Sequence, residues 1–179
     1  FSYVATTSSI VWEGLTPVFA DIDPNTLCID PKEVEKKITP NTSAILATHV
    51  YGNNCDVEAL QAIADKHNLR VIYDGAHAFN AKFKGESLLG YGDAATLSFH
   101  ATKLYHTIEG GAVVTNDDEI ARVCEYMRRF GHGRPDEDFL GVGINGKSSE
   151  VHAAVGLCLL PRVEEFIAQR KERCERYDE

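Results

Sequence analysis

The sequence predicts an α/β fold layered on a largely parallel sheet. Short, continuously apolar runs suited to buried strands alternate with segments of helical period, and that alternation builds parallel sheets covered by helices. Hydrophobic residues make up 44% and charged residues 25% of the 179 positions, the proportions of an ordinary globular protein long enough for one domain with a sizeable core.

Taken in order, residues 16–20 are a short apolar strand ending in the turn-forming cluster Asp21-Ile22-Asp23-Pro24. Asp30-Pro31 supplies an N-cap and a proline at the first helical position, with Val34 and Ile38 on one face. Residues 43–48 form a second strand, after which Asp56 caps a helix that aligns Val57, Leu60, Ile63 and Ala64. Residues 70–74 are a third strand with Asp74 at its end, and Phe83-Lys84-Gly85-Glu86 reads as a small hairpin. A fourth run, Ala94-Ala95-Thr96-Leu97, leads into Ser98-Phe99-His100-Ala101-Thr102-Lys103 and on to Glu109-Gly110-Gly111. Residues 111–115 are another strand, followed by Asn116 and Glu119 at the spacing of a capping box. Ile120, Val123, Cys124 and Met127 keep the helical period behind it. Residues 131–147, rich in glycine and carrying Asp136-Glu137-Asp138, make a long irregular loop of the kind that is functional or mobile. Two helices occupy residues 149–177, the second beginning near Pro161.

Charge and cysteine usage narrow the function. A net charge of -9 argues against a general nucleic-acid binder or a membrane-surface protein. The five cysteines form no C-x-x-C pair and read as reduced, mostly buried thiols of a cytoplasmic chain. No apolar run approaches the roughly 20 residues that span a bilayer, and no signal peptide is recognisable. The first residues include no methionine and the last helix has no stop signal, so the expectation is a piece of a longer protein.

Most motif-like signals fail on context. Gly141-Val142-Gly143-Ile144-Asn145-Gly146 matches the dinucleotide fingerprint literally, but residues 136–140 make a poor strand to precede it. The seven histidines show no metal-ligand spacing, and no P-loop is present. What remains is Asp74, His77, Ser98 and Lys103. Ligands of open parallel sheets bind outside the carboxyl ends of the strands, where both Asp74 and Lys103 fall. A desolvated lysine attacks carbonyls to form Schiff bases, and a carboxylate in the same crevice keeps a pyridine nitrogen protonated. Ser98 would offer its hydroxyl to a phosphate and His77 would donate to the ring oxygen. The competing reading has Lys103 solvated, Asp74 capping a turn and His77 filling core space.

The chain resembles the DegT/DnrJ/EryC1/StrS family of pyridoxal-phosphate-dependent sugar aminotransferases. The likeness is carried by Tyr3-Val4-Ala5-Thr6, Pro17-Val18-Phe19-Ala20-Asp21-Ile22-Asp23, His49-Val50-Tyr51-Gly52 and Asp74-Gly75-Ala76-His77-Ala78. It continues through residues 92–99, Thr102-Lys103, Glu109-Gly110-Gly111-Ala112, Asn145 and Ser149-Glu150. The resemblance implies a three-layer αβα architecture, the large domain of the fold type I aspartate aminotransferase superfamily, over residues 1–179. It implies pyridoxal 5'-phosphate on Lys103, with Asp74 at the pyridine nitrogen, His77 near the ring hydroxyl, Ser98 on the phosphate and Tyr3 stacked on the ring. Asn145 would reach the cofactor phosphate of a partner subunit, which implies a homodimer. The implied reaction moves an amino group from glutamate or glutamine to a keto group of a nucleotide-linked deoxysugar. Gly75, the segment Tyr105-His106-Thr107-Ile108 and Lys147 depart from the family's usual residues, and a phosphate cup and a small domain would lie outside residues 1–179. Two further readings are a keto-sugar dehydratase, against which Lys103 argues, and a regulatory module that binds the cofactor without transferring nitrogen.

Overall fold

The computed structural model describes residues 1–133 and 138–179, so Asp136 and Glu137 of the acidic run lie outside the described residues. The chain divides into two compact units, one comprising residues 1–97 and 113–122, the other residues 98–112 and 123–179.

Strands β1 (Ala44–Thr48), β2 (Arg70–Asp74), β5 (Ala94–Ser98) and β6 (Gly111–Val114) form a sheet in the order β1-β2-β5-β6, all of it in the first unit except Ser98 and residues 111–112. β1 pairs with β2 and β2 with β5 in parallel, Asp74 lying opposite Thr48 on one side and Thr96 on the other. Alternation decides the faces: Ile45, Ala47, Val71, Tyr73 and Ala95 are buried on one side. They join Val57, Leu60 and Ala64 of helix α3 (Val57–His67) in a single hydrophobic core. α3 starts where the Asp56 carboxylate accepts the Ala59 N–H at 3.0 Å, and stops where Asn68 turns left-handed. Asp30 likewise caps α2 (Pro31–Lys37) through the Lys32 N–H. The small hairpin forms as β3 (Lys82–Phe83) against β4 (Glu86–Ser87). Gly92 is required: at φ 72° its missing Cβ would sit 2.8 Å from the Val71 carbonyl and 2.9 Å from the Tyr73 ring.

The structure departs from the sequence reading at residues 4–20 and at the cap of the helix after β6. Residues 16–20 form no strand, and Val18 and Phe19 are exposed, because apolar character without a neighbouring strand to pair with makes no ladder. Residues 4–12, to which the sequence assigned no element, form helix α1 (Val4–Trp12) with no buried residue. Helix α4 (Asp118–Met127) is capped by Asp117, whose Oδ1 accepts the Glu119 and Ile120 N–H groups, while Asn116 donates to the Gly90 carbonyl instead.

In the second unit the segment 98–110 closes on itself. The Phe99 N–H donates to Gly110 O and the Thr107 N–H to Phe99 O, with Thr107 buried. Helix α5 (Glu150–Leu159), capped by Ser149 through the His152 N–H, lies directly against this segment. A Cβ on Gly156 would come within 2.7 Å of the Tyr105 hydroxyl and 2.8 Å of the Thr107 methyl. A short 3-10 turn, Leu160–Arg162, leads into α6 (Val163–Asp178). All five cysteines are free; Cys28 and Cys55 are buried, but Cys158 and Cys174 are exposed on the last two helices, contrary to the expectation of mostly buried thiols.

Candidate active site

Asp74 stands half-buried at the carboxyl end of the central strand β2, on the face opposite the core. Its Oδ1 accepts the Ala76 N–H at 3.0 Å and its Oδ2 the Thr6 hydroxyl at 2.6 Å. Asp74 therefore does close a turn, as the competing reading had it, and in addition receives a side-chain donor from α1. Gly75 makes room for this turn: its Cβ would lie 2.9 Å from Leu89 and 3.0 Å from the Thr96 carbonyl. His77 is exposed rather than a core filler. Its Nδ1 accepts the Tyr51 N–H at 3.2 Å and its ring stacks on that of Tyr51 at 5.8 Å and 4°. Tyr51 holds a left-handed φ of 55°, which turns the chain just after β1. Tyr3 precedes α1 as its N-cap residue and is exposed, with its carbonyl accepting the Thr6 N–H. These residues belong to the first unit.

Behind Asp74 lies His49, fully buried and stacked on Tyr73 at 4.6 Å. Its Nδ1 accepts the Cys55 N–H at 3.2 Å, whereas its Nε2 is a buried polar atom with no partner. Desolvation lowers the imidazole to about 4, with the Asp74 charge opposing.

Ser98, Lys103 and Asn145 belong to the second unit. Ser98 Oγ accepts the His100 N–H at 3.4 Å, which leaves the hydroxyl proton for another acceptor. The Lys103 N–H closes a turn onto His100 O at 2.9 Å, and the His100 ring braces that turn through Thr102 Oγ1 and the Thr102 N–H. Lys103 is half-buried, not buried as a desolvated amine would be, and no carboxylate lies within salt-bridge distance of it among the described residues. It lines a cavity of about 300 Å³ with His106, Phe166, Arg170 and Arg173, and no acid contributes to the wall. Asn145 forms an isolated bridge with Arg129, and its Oδ1 accepts from the Lys147 ammonium, which sits 4.2 Å over the Phe130 ring. That interaction gives Lys147 a local role no bidentate guanidinium is needed for.

Taken singly, the groups suit pyridoxal phosphate: in the first unit a carboxylate at a strand end with lone pairs left after two donors, and in the second an amine with no counter-ion among the described residues and a hydroxyl with a spare proton. Sequence reasoning passed over Thr6 and His49, although both stand in runs that carry the resemblance. The missed signals were a hydroxyl in the first turn of a helix and a histidine directly after a strand.

Polar groups at the strand ends of a mostly parallel α/β sheet define the class of fold, and comparison with known proteins supplies the family. The model of the DegT/DnrJ/EryC1/StrS aminotransferase family matches residues 1–179. The chain is 49% identical over 171 residues to the dTDP-4-amino-4,6-dideoxy-D-glucose transaminase of Shigella dysenteriae, covering 95% of this chain and 46% of that protein. It is 40% identical over 178 residues to the pleiotropic regulatory protein of Geobacillus stearothermophilus, covering 99% and 48%. Among solved structures, Helicobacter pylori PseC, an aminotransferase involved in the biosynthesis of pseudoaminic acid, superposes with a TM-score of 0.92 at 34% identity, covering 99% of this chain and 48% of that one. The chain spans about half the length of the relatives it matches. It belongs to the DegT/DnrJ/EryC1/StrS aminotransferase family.

Proposed function

We propose that these residues form the cofactor-holding part of a pyridoxal-5'-phosphate-dependent aminotransferase that passes nitrogen from glutamate or glutamine to a keto group of a nucleotide-linked deoxysugar. The observation that carries this reading is Asp74: a carboxylate at the end of the central parallel strand, gripped on both oxygens, in a chain matched throughout by the aminotransferase family. The bound cofactor would supply the electron sink that lets a proton leave the donor's α-carbon. Asp74 would hold the ring nitrogen's proton, Ser98 would donate to the phosphate, His77 would approach the ring hydroxyl and Tyr3 would cover the ring. Lys103 would anchor the cofactor and, once displaced by the amino donor, carry the proton from the α-carbon. Asn145 would serve the partner subunit's phosphate in a homodimer. The setting we assign is the cytoplasm, and no described helix is long and apolar enough to cross a membrane.

Lys103→Ala in the full-length protein is expected to abolish the yellow, borohydride-reducible chromophore and all turnover of keto sugar nucleotide with glutamate. An unchanged chromophore overturns the assignment. The likeness to a pleiotropic regulatory protein favours a second reading, a module that binds the cofactor without transferring nitrogen. That reading requires the chromophore without turnover.

A further inference from the structure

The Asp74 carboxylate terminates a chain of hydroxyls. Thr48, at the end of the neighbouring strand β1, donates from Oγ1 to Ser2 Oγ at 3.2 Å. Ser2 Oγ meets Thr6 Oγ1, and Thr6 Oγ1 donates to Asp74 Oδ2 at 2.6 Å. Each hydroxyl has one proton, so the last bond fixes the direction of the others. Thr6 spends its proton on Asp74, Ser2 must therefore donate to Thr6, and Thr48 donates to Ser2. All three protons point toward the carboxylate, and successive hydrogen bonds of one sense polarise one another. The helix that carries Thr6 has no fully buried residue, and the hydroxyl chain ties its first turn to the ends of β1 and β2.

From this geometry we infer that Thr6 is a positioning residue: it aims the Asp74 carboxylate at the cofactor's ring nitrogen, with Ser2 and Thr48 behind it. The inference rests on the reading of Asp74 as the partner of that nitrogen. With Oδ1 held by the Ala76 N–H and Oδ2 by Thr6, the carboxylate plane cannot swing about its Cβ–Cγ bond without breaking one of the two. The lone pairs left over then face a fixed direction. Valine at position 6 keeps the shape and removes the donor; serine keeps the donor and removes a methyl group.

The test uses the full-length apo-protein titrated with pyridoxal 5'-phosphate, followed by absorbance, alongside apo-protein thermal unfolding. Thr6→Val is expected to raise the dissociation constant about tenfold, the worth of one hydrogen bond to a charged group. The pH midpoint of the bound cofactor's visible band should move upward, because a ring nitrogen without its proton leaves less positive charge near the imine. Thr6→Ser should restore both within about threefold, and Ser2→Ala, at an exposed position, should weaken binding about two- to threefold. Ser2→Ala also serves if Thr6→Val does not fold. A lowered unfolding temperature with unchanged affinity and unchanged midpoint overturns the inference, as does a Thr6→Ser variant no better than Thr6→Val. Asp74→Asn separates the two levels. If it binds cofactor like the parent, the reading of Asp74 itself fails. If it weakens binding while Thr6→Val and Ser2→Ala do not, only the role of Thr6 fails.

Discussion

At the scale of single residues, buried polar groups carry the most consequence. His49 stays neutral because water is excluded from it, and its Nε2 finds no acceptor in compensation. The unfolded chain takes up a proton on this imidazole as pH falls through 6.5, while the folded chain resists until about 4. Stability from this group is therefore complete above pH 6.5 and declines as pH drops between those values, by up to about 3 kcal/mol at the acid end. Urea unfolding of the full-length protein at pH 7 and pH 5 should show the fall, and His49→Leu should flatten it. An unaltered slope in the leucine variant would place the pH dependence elsewhere.

At the scale of elements, glycine decides how closely helix and loop meet. A Cβ on Gly156 of α5 would run into the Tyr105 hydroxyl and the Thr107 methyl, both in the segment that presents Lys103. A methyl group there has no room, so Gly156→Ala should push this segment away. The expected cost is about 1–3 kcal/mol in thermal unfolding, although alanine is the better helix former. Cofactor affinity should fall with it. A more stable variant with parental affinity would mean that the segment yields freely. The caps show how local signals were read or misread. Asp30 and Asp56 cap as their sequence context predicts, since each stands alone before its helix. At residues 116–117 two competent caps adjoin, and spacing favoured Asn116, whereas the bond to Gly90 O drew that side chain away.

For the whole molecule, the strands of the parallel sheet and the helices behind them were legible because their signals lie within contiguous residues. Helix α1 was not, since its hydroxyl residues Thr6, Thr7, Ser8 and Ser9 run consecutively between apolar ends and leave no helical period to detect. Residues 16–20 misled for the converse reason: strand-like composition says nothing of a pairing partner. The site divides in the same way. Asp74 and Lys103 could be picked out by residue type at strand ends, but the Thr6–Asp74 bond joins positions 68 apart and no spacing rule reaches it. The exposed Trp12, Val11 and Phe19 of the first unit are further surface that a subunit contact would cover. The full-length protein is expected to sediment at twice its subunit mass at micromolar concentration. A monomer would remove the basis for Asn145 serving a neighbouring subunit.

The buried thiols turn the core into its own clock. Cys28 and Cys55 are 1% and 0% exposed beneath the sheet and α3, so no reagent reaches them until that layer parts. Cys158 and Cys174 stand on the outside of the other unit. A thiol-reactive dye added to the native chain thus separates by rate: an immediate phase from outward sulfurs, then a slow phase whose half-life measures how often the sheet opens. Cofactor and substrate analogues can be ranked by how far they lengthen that slow phase, with no need for turnover at all.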